Sequence, residues 1–177
     1  MINLGATDFL VDTGVLSGLL DDTNRHHDRV KVWFDGLPDT CRKLVSVVAI
    51  AELRFGRELA LVSSSLSSLP RLDQVVSLAG QFDMLEITHP TTLEYAQLKA
   101  KLAQSMMPKK IANRKKANWG NPEIWKSEFT GVALQIQEND LWQCAQAIER
   151  EIIFVTIDKG VSSVAEVTDG QLRHLVI

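Results

Sequence analysis

The sequence predicts an α/β protein: a three-layer α/β/α sandwich with a mainly parallel central sheet. Three observations carry this expectation: short apolar runs of strand length, helical spacing between them, and strict alternation of the two along the chain. Strands joined this way need right-handed crossovers, which lay helices over both faces of the sheet. The chain has 177 residues, 45% hydrophobic and 23% charged, and suits one domain spanning 1–177 with a substantial core.

The elements follow in order. Asp8-Phe9-Leu10-Val11-Asp12 is the first strand, and Thr13-Gly14 turns the chain into a helix around Val15 to Leu20. Arg25 to Phe34 forms a second helix, stopped near Gly36 and Pro38. Leu44 to Val47 is the second strand, and a helix follows through Ala49, Leu53 and Leu59. The serine cluster Ser63 to Ser68 ends that helix. Leu69, Leu72, Val75, Val76 and Ala79 have helical spacing, which predicts a helix over 69–82. Met84 to Ile87 is the third strand, and His89-Pro90-Thr91 opens a helix to about Gln104. A basic stretch interrupts the pattern before helical character returns around Ile124 to Leu134 and from Asn139 to Arg150. Ile152-Ile153-Phe154-Val155 is the most continuous strand signal, and Leu172 to Ile177 supplies a last strand.

Charge is unevenly spread. The chain carries −3 overall, which excludes a strongly basic nucleic-acid coat protein. Between Met106 and Glu128, however, six basic residues face only Glu123 and Glu128, a local charge of +4. Such an edge suits contact with phosphates, while the ordinary reading of a charge run is a solvated loop. No apolar run is long enough to cross a membrane. The N-terminus lacks the basic start and small-residue cleavage site of a secretory signal, so a cytoplasmic protein is expected. Cys41 and Cys144 have no paired metal-binding spacing, suit a reducing compartment, and read as small core residues.

Ligands of open parallel sheets bind beyond the carboxyl ends of the strands, so the acids placed there matter most. Asp12 stands at the exit of the first strand and Asp158 at the exit of the strand over 152–156. Asp140 opens the helix before that strand, where the helix dipole favours a carboxylate. Glu52 lies about one turn into the helix that follows the second strand. Each has an ordinary structural reading. Asp12 and Asp140 can cap helices, Asp158-Lys159-Gly160 can be a plain turn, and Glu52 can be an exposed helix residue. Together they crowd negative charge, which a bound cation relieves. An oxygen-only set suits Mg²⁺ or Mn²⁺, and such an ion supports hydrolysis of phosphodiesters. Asp8, about 13 Å up the same strand, is expected to lie outside the group.

These residues also resemble a family. Leu10-Val11-Asp12-Thr13, Ser46 to Leu53, Asn139-Asp140-Leu141-Trp142 and Val155 to Lys159 look like the four acidic motifs of PIN domains, in the right order. The second and third look like those of VapC-type toxins of bacterial toxin–antitoxin pairs. The resemblance covers about residues 8 to 160. It implies an Mg²⁺-dependent endoribonuclease with Asp12, Glu52, Asp140 and Asp158 as catalytic and metal-binding acids, Asp12 and Asp140 leading. It further implies support from Thr13, Asn139 and Thr156, a homodimer, and inhibition by a small antitoxin. The connection from Met106 to Gln135 is longer than the resemblance implies. The basic insertion, at about 106–130, suggests RNA contacts through Lys109, Lys110, Arg114, Lys115 and Lys116. Trp119 and Trp125 suit either stacking on bases or packing the insertion onto the body.

Two alternatives stay open: a catalytically silent RNA-binding or regulatory module of this fold, and a stand-alone nuclease without antitoxin. A phosphatase with an aspartyl nucleophile at the first strand would carry a second Asp at position 14, which is Gly14. His26-His27 has no third ligand of matching spacing and reads as a solvated helix face, and His89 and His174 read as structural.

Overall fold

A computed structural model describes residues 7–113 and 120–177. Five strands form one all-parallel sheet in the order β3-β2-β1-β4-β5. They are β1 (Phe9–Val11), β2 (Lys43–Ser46), β3 (Asp83–Leu85), β4 (Ile153–Thr156) and β5 (His174–Val176). Side chains alternate across the sheet, so each strand feeds two cores. On one face Phe9, Val11, Val45, Ile153 and Val155 pack against α1 (Thr13–Leu20), α2 (His27–Asp35), α3 (Val47–Val62) and α4 (Leu69–Ala79). On the other, Leu10, Leu44 and Phe154 meet α5 (His89–Met106), α7 (Glu138–Glu149) and α8 (Val161–Glu166). That is the expected sandwich. Double coverage explains why β1 and β4 read as unbroken apolar runs: every residue in them is buried. Each such side chain contributes about 1.5–3 kcal/mol.

The chain changes sides between β1 and β4, which are neighbours in the sheet although Leu10 and Phe154 are far apart in sequence. This switch point opens a crevice at the carboxyl edge.

One expectation fails. Residues 124–134 are not helical: a 3₁₀ turn at Pro122–Ile124 leads into a loop closed by an antiparallel bridge between Lys126 and Ala133. Gly131 takes φ +69°, and Ser127 Oγ accepts from the Phe129 and Thr130 amides, so local turn bonds replace helical ones. Ile124, Phe129 and Val132 of this stretch are exposed. Helix α8 was not anticipated, because its six residues are too few for a clear period.

The basic segment is partly ordered as α6 (Pro108–Ala112). The Glu128 carboxylate accepts from the Lys109 and Lys110 amides at 2.7 and 3.0 Å, which ties the loop to this helix. Trp125 is 2% exposed and packs into the core, so it takes the packing role and cannot stack on bases. Arg114, Lys115, Lys116 and Trp119 lie outside the described residues. Cys41 and Cys144 are buried and form no disulfide. Among the described residues no helix is long and apolar enough to cross a membrane.

Candidate functional site

Four elements deliver acids to the crevice. Asp12 follows β1 directly and caps α1. Its Oδ1 accepts from the Val15 amide at 2.6 Å, while its Oδ2 accepts from the Thr156 hydroxyl at the end of β4. Thr156 Oγ1 also accepts from the Asp158 amide at 2.9 Å, so one hydroxyl joins the exits of two adjacent strands. Asp158 Oδ1 accepts from the Gly160 amide at 2.8 Å, and the exposed Asp158 thereby closes its own turn. Glu52, in α3, is gripped from both sides: Thr13 donates to Oε2, and Asn139 Nδ2 donates to Oε1 at 3.0 Å. Asp140 is the third residue of α7, and its Oδ2 accepts from the Gln137 amide at 3.1 Å in a capping box.

The ordinary readings are thus partly true, since Asp12 and Asp140 both cap helices and Asp158 does make a turn. Capping uses only some of their lone pairs, and burial and repulsion act on what remains. Burial pushes the Asp12 carboxyl up to about 6 against the Thr156 and Val15 hydrogen bonds, with repulsion from Asp158 and Glu52 adding to the rise. Burial likewise pushes Asp140 up to about 7 despite the Gln137 bond, and Asp12, Glu52 and Asp158 all repel it. Asp12 and Asp140 therefore each sense other carboxylates across the crevice. Among the described residues none of the four is ion-paired with a lysine or arginine.

Beneath them sits Cys144, one helical turn after Asp140. Burial first, then Asp140 and Asp12, push its thiol well up, so it stays protonated and unreactive. Its spacing from Asp140 was a readable sign of this placement. The roles of the Gln137 and Gly160 amides were not readable, because main-chain donors carry no residue signature. Asp8 lies outside the group and pairs instead with Arg42 at 3.4 Å, as expected. Lys109 is exposed on α6.

Among the described residues, no three acidic, histidine or cysteine side chains already stand as a group able to hold a metal ion. The donor chemistry nevertheless fits a hard cation. Every candidate ligand is a carboxylate, and the bonds described here use one oxygen of Asp140 and one of Asp158.

The chain resembles solved structures. It matches a chain of VapBC-5, a member of the VapBC family of toxin–antitoxin systems from Mycobacterium tuberculosis, at 18% identity with a TM-score of 0.60, over 97% of this chain and 99% of that one. It matches a chain of VapBC2 from Rickettsia felis, solved on a DNA fragment from its promoter, at 12% identity and a TM-score of 0.58, over 96% and 98%. FitAcB from Neisseria gonorrhoeae matches at 22% identity and a TM-score of 0.55, over 94% and 96%. Identities this low speak to fold alone. No curated protein matches by sequence. The family model for the PIN domain, however, matches residues 9–167, so the acidic crevice lies inside the matched span and the chain belongs to the PIN-domain family.

Proposed function

We propose that the protein is a metal-dependent endoribonuclease that acts as the toxin of a toxin–antitoxin pair. The observation that carries this is the gathering of four acids at one crevice, where burial and the charges of Glu52 and Asp158 raise Asp12 to about 6 and Asp140 to about 7. Near neutral pH a cation is the simplest partner for such a group.

Asp12, Asp140 and Asp158, with Glu52, would hold Mg²⁺ or Mn²⁺. Such an ion supplies Lewis acidity toward a phosphoryl oxygen and a lowered pKa for an attacking water. The chain's own residues supply the order around it. Thr156 fixes Asp12 and the Asp158 turn relative to each other, and Thr13 and Asn139 stop Glu52 from swinging away. Side chains fixed in this way need little reorganisation as charge develops in the transition state.

The remaining parts of the proposal are an RNA substrate, contacts from Lys109, Lys110, Arg114, Lys115 and Lys116, a small antitoxin partner, a homodimer and a cytoplasmic location. In this reading, residues 1–177 form one PIN-like domain with an insertion at about 106–130. Membership in a nuclease family supports the chemistry, and the toxin–antitoxin names of the structural neighbours support the partner. The test is cleavage of single-stranded and structured RNAs with Mg²⁺, with EDTA, and by Asp12→Asn and Asp140→Asn variants. Cleavage that survives EDTA, or both substitutions, ends this reading.

A catalytically silent RNA-binding or regulatory module is the second reading. It is favoured by the hydrogen bonds that already occupy both oxygens of Asp12 and both of Glu52. Mn²⁺ titration calorimetry separates the two: binding abolished by Asp12→Asn supports the nuclease, and no binding supports the silent module.

A further inference from the structure

The Asp158 turn and the segment over 120–136 meet backbone to backbone. Gly160 has φ −59° and ψ −27°, an ordinary helical conformation that any residue can adopt. Space alone excludes a side chain. A Cβ built there would overlap the Gln135 carbonyl oxygen and stand 3.3 Å from both the Gln135 carbonyl carbon and Asp158 Oδ1. The main obstacle is main chain, which has no rotamer to swing aside.

The other side of the contact is also unusual. Gln135 holds φ +56°, a left-handed conformation uncommon for a residue with a side chain. Its neighbours fix it there: Leu134 and Ile136 are buried in the core, and the Leu134 amide donates to the Trp125 carbonyl at 3.0 Å. A missing Cβ and a left-handed turn therefore serve one contact from opposite sides.

That contact leads directly to the acids. Gly160 donates to Asp158 Oδ1, Asp158 donates to Thr156, and Thr156 donates to Asp12. The same segment touches the start of α7, where Glu123 Oε1 accepts from the Glu138 amide at 2.8 Å, two residues before Asp140.

We propose that Gln135 and Gly160 form a backbone latch through which the 120–136 segment fixes the spacing between Asp158 and Asp140. Both are positioning residues, and the 120–136 segment thereby supports the acids. The latch's effect on cleavage rests on the nuclease reading, whereas its effect on structure does not.

Gly160→Ala forces the contact open. RNA cleavage with Mg²⁺ is then expected to fall about ten- to a hundredfold, in kcat rather than KM, because misplacement by about 1 Å acts on that scale. In the metal-free protein, the Asp158 and Asp140 amide resonances are expected to shift while those of β2 and β3 stay in place. Gly80→Ala, whose Cβ would come no nearer than 3.5 Å to anything, serves as the control and leaves both readings unchanged. A Gly160→Ala protein with unmoved Asp158 and Asp140 amides and parental kcat overturns the latch. A parent protein that cleaves no RNA overturns the nuclease reading instead, and the amide spectra still decide the latch. Should Gly160→Ala fail to fold, the double variant with Gln135→Gly is read in its place, since glycine lets the left-handed turn give way. Restored folding with displaced Asp158 amides supports the latch, and folding with undisplaced amides overturns it.

Discussion

Asp8 and Asp12 stand at opposite ends of β1, and their surroundings handle negative charge in opposite ways. At the amino edge of the sheet, Arg42 comes within 3.4 Å of Asp8 and 3.9 Å of Asp83, in a setting open to water. The chain supplies its own cation there, and the pairs are exposed enough to be weak. At the carboxyl edge, Asp12 is 5% exposed and faces Glu52 and Asp158, with no basic partner among the described residues. Buried charge left without an internal partner is expensive, so its retention points to a partner from outside. One strand thus separates an aspartate paired within the chain from one left without a basic partner among the described residues.

The largest expected effect that sharpens this contrast is Asp12→Asn. Asparagine caps a helix as well as aspartate does, so the fold should survive. RNA cleavage with Mg²⁺ should fall by at least about a thousandfold, the scale on which a preorganised electrostatic partner is lost. A variant that cleaves within a factor of a few of the parent would erase the distinction between the two edges.

Thr156→Val comes next. It removes the hydroxyl shared by Asp12 and Asp158 while keeping the side-chain volume. Mn²⁺ affinity measured by calorimetry should drop about 10–100-fold, the range for residues that orient ligands. An unchanged affinity would show that the two strand exits are placed without it.

A third test is pH. Asp12 and Asp140 titrate near 6 and 7 in the folded protein, above the ordinary carboxylate value of 3.8. Between about pH 4 and pH 7 the folded state therefore holds protons that the unfolded chain has released. Metal-free stability must fall as pH rises through that window and level off above it. Thermal melts should show a decline of several degrees, at roughly 2–4 °C per kcal/mol, and Mg²⁺ or Mn²⁺ should recover more of it at pH 8 than at pH 5. A flat profile would mean that the carboxyl edge is neutralised internally, like its counterpart.

The smallest effect belongs to Arg42→Ala. Its ion pairs are exposed, so urea unfolding should shift by less than about 1 kcal/mol, and cleavage should be unchanged. A large loss of activity would make the two edges alike.

Much of this geometry was legible in the sequence. Apolar runs ending in Asp12 and Asp158 marked strand exits, and alternation with helices implied that the exits share an edge. The ties between elements were not legible. Thr13 and Asn139 both reach Glu52, but they lie 39 and 87 residues from it, and no local pattern encodes a partner so far away. The stretch from Ile124 to Leu134 was expected to be helical, whereas Pro122, Gly131 and the Ser127 hydroxyl favoured turns. Gly160 resembled any turn glycine until its approach to the Gln135 backbone became visible.

The pairing of β1 with β4 has a consequence for synthesis on the ribosome. Leu10 lies beside Phe154, so β1 must wait until β4 has been made to find its second neighbour. Contacts that close so long a loop form late and slowly. No assembled crevice can precede the emergence of residue 158, so every earlier length of the growing polypeptide lacks one wall of the acidic group.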